Sequence, residues 1–342
     1  MLLPWTGHFR ANRNFRSQSL PQTFRSADIQ PGHRHAMSQE QPSSHDTGPR
    51  DPLSVHMVLV HRNRGATGRR TIQRFLDQAA AADFDITMTV VDNGSDPDQL
   101  ALLRDDLPDE VTIVEAGRNL GFGPGANMGL AHWLASDSSI CLLAPHDARP
   151  AYGTVGLLVE QLAAHPEAGL ACADVGDNHI PRVQPWLGPI GEPMESGAGS
   201  GSVPQWELAD YPHGTLMARA RDCVEQIGVF DERYFAYCEE ADLGLRAGAA
   251  GWKVGLVRGA LVENPESNAD AAVIDYLMVR NTLLLLRVHF VLANMAFRIG
   301  VVVVEHVVGW WRPNVRGPYH SGWARVRAIV DAVAGRFGPP PG

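Results

Sequence analysis

Cysteine is scarce in this chain: Cys141, Cys172, Cys223 and Cys238 are the only four in 342 residues, and no two form a CxxC pair. That spacing suggests neither a zinc knuckle nor a framework of disulfides, so a reducing cytoplasm is the expected setting. Positive charge is also short. A formal net charge of −9 is the opposite of the basic face that a phosphate backbone selects, and no nucleic-acid partner is expected. Sustained apolar runs are missing as well. "MLLPW" passes at once into polar and basic residues, so no secretory signal is read there. Near the C-terminus, Arg287, Arg298 and Glu305 interrupt the apolar stretch before it reaches the roughly twenty residues of a membrane span. The glycine-rich "RNLGFGPGAN" has the spacing of neither GxGxxG nor a Walker A loop, which excludes the usual dinucleotide and P-loop readings.

What is present is ample apolar material, 44% of the chain, enough for one large domain or two modest ones. Residues 1–51, rich in Arg, Ser, Gln, Pro and His, have little periodic hydrophobicity and are expected to be disordered, with Met37 a candidate alternative start. From Val55 the pattern alternates. "VHMVLVHRN", "ITMTVVD", "VTIVEAG" and "SICLLAPHD" read as strands; "TIQRFLDQAAAA", "PDQLALLRDDL" and "MGLAHWLA" between them read as helices. This predicts an α/β fold, a mainly parallel Rossmann-like sheet flanked by helices over residues 52–270, with ligands beyond the carboxyl ends of the strands. Residues 176–212, rich in Gly, Pro and Ser, are expected to form a flexible loop. Residues 271–334 predict an amphipathic helical extension, followed by a tail at 335–342.

The polar clusters fall at the predicted strand ends. Asp92 and Asn93 in "VVDNGSD" could hydrogen-bond a base or ribose, though the same residues are ordinary turn chemistry. Arg118 could face a phosphate, with Asn119 and Asn127 beside it, while Asn127 could equally cap a helix. Asp147 in "LLAPHD" could hold a divalent cation on a diphosphate, or simply begin a turn. In "FDERYFAYCEEADLGLR", Glu239, Glu240 and Asp242 crowd together; like charges raise one another's pKa, which suits a general base, whereas a helix N-terminus would also favour them.

Taken in order, "VHRNR", "VVDNGSD", "RNLGFGPGAN", "LLAPHD", "HGTLMARARDCVEQIGVFDERYFAYCEEADLGLRAGAAGW" and "YLMVRNTLLLL" resemble glycosyltransferase family 2, the inverting GT-A enzymes, and above all its rhamnosyltransferase-like and galactofuranosyltransferase-like branch. The resemblance runs from about Val55 to Arg287. It implies a GT-A fold and transfer of a sugar from a nucleoside-diphosphate donor to a hydroxyl of a glycan or lipid-linked acceptor in cell-envelope synthesis. Glu240 would be the base. Glu239, Asp242, Arg246 and His213 would attend the acceptor; His61, Asn63, Asp92, Asn93, Arg118, Asn119, Gly121 and Asn127 would line the nucleotide-sugar site. Asp147 would keep a reduced site for Mg2+ or Mn2+, since Pro145 and His146 replace acidic neighbours and "ENPES", with Glu263 and Asn264, stands where relatives carry a histidine. The alternatives are a nucleotidyltransferase and a catalytically impaired sugar-nucleotide-binding protein.

Arg287, Asn294, Arg298 and Glu305 are spaced seven, four and seven apart, which on one helix makes a narrow polar stripe opposite a broad apolar face. With Trp310, Trp311 and Arg312 at its end, residues 283–312 are expected to meet either a membrane surface, at the inner face of the plasma membrane, or a second subunit.

Overall fold

The computed structural model describes residues 54–82, 84–194, 205–263 and 269–341. The expectations for residues 1–51 and Met37, and that for Asn264, lie outside the described residues.

The chain runs β1 (Val55–His61), α1 (Gly65–Ala81), β2 (Ile86–Asp92), α2 (Pro97–Arg104), β3 (Val111–Glu115), α3 (Phe122–Leu134), β4 (Ile140–Pro145), β5 (Arg149–Pro150), α4 (Thr154–Ala164) and β6 (Ala168–Asp174). It continues through β7 (His179–Gln184), β8 (Gly188–Pro193), β9 (Gln205–Ala209), β10 (Met217–Ala220), α5 (Arg221–Ile227), α6 (Glu239–Ala249), β11 (Lys253–Glu263), α7 (Ala271–His289), α8 (Leu292–Trp311) and α9 (Gly322–Val333).

The main sheet has the order β3-β2-β1-β4-β10-β6-β11-β5, with β9 also paired to β11. Strands β1, β2, β3 and β4 pair in parallel, as do β6 and β11; β10 is antiparallel to both β4 and β6. All seven residues of β1 are buried, which is what a strand covered on both faces requires. Because successive side chains alternate, Met57, Leu59 and Leu142 pack with Ile72 and Phe75 of α1 and Leu158 of α4. Val58, Val60 and Leu143 face the other way, onto Leu130 and Trp133 of α3 and Leu243 of α6.

This topology sets one functional edge. Strand β6 runs the same way as β4, because β10 opposes both, so His61, Asp92, Pro145 and Asp174 end on one rim. Residues 213–216, which lead into β10, return to that same rim.

Three expectations change. The predicted flexible loop at 176–212 instead holds the β7–β8 hairpin and the edge strand β9, because short runs such as "HIPRVQ" and "QWELA" find partners that local composition does not disclose; residues 195–204 lie outside the described ones. The glycine-rich turn is partly helix, for α3 begins at Phe122. The C-terminal stripe is split between two helices: α7 ends at His289, so Arg287 belongs to it while Asn294, Arg298 and Glu305 belong to α8. Within the tail, Gly338 is tied in at both backbone groups, its N–H donating to the Arg233 carbonyl and its carbonyl accepting from Arg280.

Candidate active site

The first wall of the site is an interlocked polar floor. His61 Nδ1 lies 3.2 Å from Asp92 Oδ1, and the Ser95 N–H donates to Asp92 Oδ2 at 3.1 Å. Burial holds the His61 imidazole below its usual pKa, against the opposing pull of Asp92, so the neutral ring donates from Nδ1. Its Nε2 has no hydrogen-bond partner, and the ring edge packs on Gly68 of α1, where a Cβ would come within 2.7 Å. Asn93 accepts from the Leu120 N–H and donates to the Gly121 carbonyl, both at 2.8 Å. Asn119 accepts from the Gly121 N–H at 3.1 Å, and Asn63 accepts from the Asp96 N–H at 2.9 Å. Position 94 requires glycine twice over: its φ is 75°, and a Cβ there would strike the Arg118 backbone.

The structure therefore brings His61, Asn63, Asp92, Asn93, Asn119 and Gly121 together, but with their polar atoms largely committed to one another. Asp92 is only 2% exposed. Arg118 and Asn119 are exposed at the lip of this floor. Asn127 does not belong to it: its amide donates to the Phe230 carbonyl at 2.9 Å and accepts from the Phe230 N–H at 3.1 Å, a clamp between α3 and the segment before α6.

The second wall is acidic. Tyr237 and Cys238 both have left-handed backbones, φ 69° and 72°, an unfavourable pair that reverses the chain immediately before α6. The reversal is pinned from outside by Asn281 of α7, whose amide donates to the Ala236 and Tyr237 carbonyls at 2.8 and 3.0 Å, and by the Phe122 N–H, which donates to the Phe235 carbonyl at 2.8 Å. Glu239 then falls inside, 2% exposed, its Oε2 without a partner and its methylenes against Gly123 of α3. Burial and its charged neighbour hold its carboxyl well above the usual range.

Glu240 is half-buried, with Oε1 directly above Gly214, where a Cβ would approach to 2.0 Å. Burial pushes its carboxyl up to about 7, while a backbone hydrogen bond and the Arg219 cation pull the other way. Arg219 of β10 is fully buried and itself pulled down to about 10 by burial; its guanidinium stacks 4.1 Å over Phe230. Two adjacent carboxyls thus have different tasks open to them: Glu239 keeps its proton, and Glu240 exchanges one near neutrality.

Asp242 and Arg246 are not acceptor groups in this geometry. Asp242 is 1% exposed, its Oδ1 2.7 Å from His289 Nε2 and its Oδ2 2.9 Å from Arg246 Nε. Arg246 also donates to the Ile227 and Val229 carbonyls. Together they brace α6 between the loop after α5 and the end of α7. His213 Nδ1 lies 2.9 Å from Thr215 Oγ1, and burial lowers its pKa against the pull of Asp177 and Asp174.

Cation ligands are few. Asp147 is half-buried just beyond β4, next to His146, whose imidazole burial brings down to about 4 and whose Nε2 has no hydrogen-bond partner. Glu263 turns to Arg149 at 3.4 Å. Among the described residues no three His, Cys, Asp or Glu side chains gather as a metal-binding group. Asp147 alone is too small a donor set for protein to hold a hard cation without other ligands.

His289, Arg219 and Gly214 were not singled out by the sequence. His289 lies 47 residues from its partner, beyond any local spacing. For Arg219 a signal did exist, a charge inside the apolar strand "LMARA".

Residues 57–219 match the sequence model described as Glycosyl transferase family 2. The chain carries a family 2 glycosyltransferase domain. It is 28% identical over 210 residues, 53% of this chain and 67% of the relative, to the N-acetylglucosaminyl-diphospho-decaprenol L-rhamnosyltransferase of Mycobacterium tuberculosis strains CDC 1551 / Oshkosh and ATCC 25618 / H37Rv. Its fold resembles the mannosyltransferase PcManGT from Pyrobaculum calidifontis, solved with GDP-Man and Mn2+, at 14% identity and a TM-score of 0.54, covering 85% of this chain and 89% of that one. It also resembles GalNAc-T7, solved with UDP, GalNAc and Mn2+, at 13% identity and a TM-score of 0.56, covering 84% and 57%. The glycosyltransferase thus has the GT-A type fold, its mixed sheet flanked by helices and extended by C-terminal ones.

Proposed function

We propose that this glycosyltransferase moves a sugar, of the L-rhamnosyl class, from a nucleoside-diphosphate donor to a hydroxyl of an isoprenyl-diphosphate-linked glycan, with inversion at the anomeric carbon. The sugar and acceptor classes come from the similarity to the rhamnosyltransferase, and the mechanism from the site. What carries the reading is Glu240: a carboxyl raised to about 7, held over Gly214 at the rim where the parallel strands end. There it can take the proton of an acceptor hydroxyl as the oxygen attacks the anomeric carbon, and one such displacement inverts that centre. Buried Glu239, still protonated, adds no second negative charge beside the base. The floor around Asn93 and Asn119 fixes the loop whose exposed Arg118 can meet the departing diphosphate. A divalent cation, held by Asp147 and the diphosphate, would supply further charge neutralisation there. The protein would work at the cytoplasmic face of the membrane.

The test is a transfer assay across nucleoside-diphosphate sugars with a soluble isoprenyl-diphosphate N-acetylglucosamine analogue, with and without Mn2+, on wild type and Asp147→Asn. The expected result is turnover with a rhamnosyl donor, a product of inverted anomeric configuration by NMR, and loss of the Mn2+ stimulation in the variant. Retained configuration would overturn the single displacement, and release of pyrophosphate would point to nucleotidyl transfer.

A further inference from the structure

Helix α8 is built inside out. Its exposed large side chains, among them Leu292, Phe297, Val304, Val307, Trp310 and Trp311, are apolar; Trp310 and Trp311 are 72% and 75% exposed. Its polar residues point inward instead. Asn294 and Arg298 are buried, Arg298 lies 3.4 Å from Glu305, and Glu305 lies 3.1 Å from Arg325 of α9, which in turn grips Asp275 of α7 at 2.9 Å. Helix α9 repeats the arrangement, exposing Trp323, Val326, Val330 and Val333. A helix pair whose ion pairs face the protein while its valines and tryptophans face outward is arranged for an apolar medium with a polar border.

Charge identifies that medium. Residues 281–342 contain seven arginines against two acidic residues, in a chain whose net charge is −9. Glu305 is engaged by Arg298 and Arg325, and Asp331 by Arg336 and Arg327, whereas Arg287, Arg312 and Arg316 are exposed and have no carboxylate within ion-pair distance among the described residues. A second copy would bring the same arginines and repel them, while an anionic headgroup layer would pair with them. Helix α8 is also long and apolar enough to cross a membrane by length and composition. Its inward ion pairs with α9, itself tied to α7, keep one flank on protein and argue for a helix lying in the interface.

We propose that the outward faces of α8 and α9 seat this protein on an anionic lipid bilayer. The seat is fastened to the reacting groups: His289, at the end of α7 and just before α8, holds Asp242, two residues beyond Glu240. Docking therefore sets the base at a fixed place relative to the surface on which a lipid-linked acceptor would stand. That purpose rests on the proposed acceptor; the docking itself does not.

The measurement is cosedimentation of the full chain with phosphatidylcholine vesicles, with or without phosphatidylglycerol. Binding is expected with phosphatidylglycerol and should weaken as salt rises. Trp310→Ser with Trp311→Ser should lower the bound fraction at least tenfold at an unchanged melting temperature, since both rings already face solvent. Arg312→Gln with Arg327→Gln should lower it several-fold at low salt and leave activity on the soluble acceptor analogue untouched. No vesicle binding, or equal binding by the tryptophan variant, would overturn the proposal. So would a lipid-independent dimer that the tryptophan variant abolishes, or vesicle-bound protein that alkaline carbonate cannot release. Because no donor or acceptor is present, failure here leaves the transfer reading standing, and failure of transfer leaves docking standing.

Discussion

The two walls of the site use polar groups in opposite ways. On the floor below β1 and β2, His61 Nδ1 pairs with Asp92, and the side chains of Asn93 and Asn63 bond the backbone of the neighbouring loops, so the surface is held in one shape. At the start of α6, Glu239 leaves an oxygen without a partner and Glu240 stands with its carboxyl raised to about 7. Saturated networks fix shape, while groups left poised by burial are free to react. The contrast recurs within α6 itself, where Asp242 is locked by His289 and Arg246 only two positions from Glu240. On the proposed mechanism, neighbouring carboxylates on one helix divide into a reactive one and a bracing one.

The strongest way to break that division is Glu240→Gln. It keeps the shape over Gly214 but removes the base, and turnover should fall by about 10²–10⁴-fold with donor affinity nearly intact. A variant with near-normal turnover would transfer the role to another group. The next largest effect is expected at the bracing carboxylate. Asp242→Ala strips His289 and Arg246 of their shared partner inside the protein, and should cost about 2–3 kcal/mol of stability by denaturant titration. Activity remaining in the folded fraction should keep the wild-type pH profile, which loss of a reacting group would not allow.

Much of the fold is legible in the sequence because its first half follows ordinary solvent logic. In α1, Ile72, Phe75 and Ala79 are apolar at helical spacing and are buried. Strand β1 is an apolar run bounded by turn residues, and it is buried throughout. Helix α8 has a period just as clear, yet the period states only that two faces differ. Which face meets the protein is decided by Arg298, Glu305, Arg325 and Asp275, and no spacing rule connects residues on three helices. The same limit hides His289 from any reading of the acidic cluster. Asn127 misleads for a related reason: an amide in a glycine-rich stretch looks like a ligand contact until its partner 103 residues away is known. Position along the chain indicates the rim, but the division of labour on the rim depends on long-range contacts.

The smallest effect sharpens the comparison through pH. The Glu240 carboxyl is raised from an ordinary 4.5 to about 7, so the folded state favours its proton. Its contribution to stability is fully present below about pH 4.5 and is lost as pH rises through about 7, because the unfolded chain then gives up the proton more readily than the native one. Catalysis runs the opposite way: the base must be unprotonated, so turnover should climb to a plateau with its midpoint near pH 7. Glu240→Gln, neutral at every pH, should remove the stability loss. Its melting temperature should exceed that of wild type at pH 8 by about 2–4 °C, the shift that accompanies about 1 kcal/mol in a domain of this size, and the gap should narrow at pH 5. The Asp242→Ala variant supplies the contrast, since its deficit should be present at both of these pH values. A melting difference for Glu240→Gln that is the same at pH 5 and pH 8 would mean that Glu240 is not the group poised by burial, and that the two walls differ less than their hydrogen bonds imply.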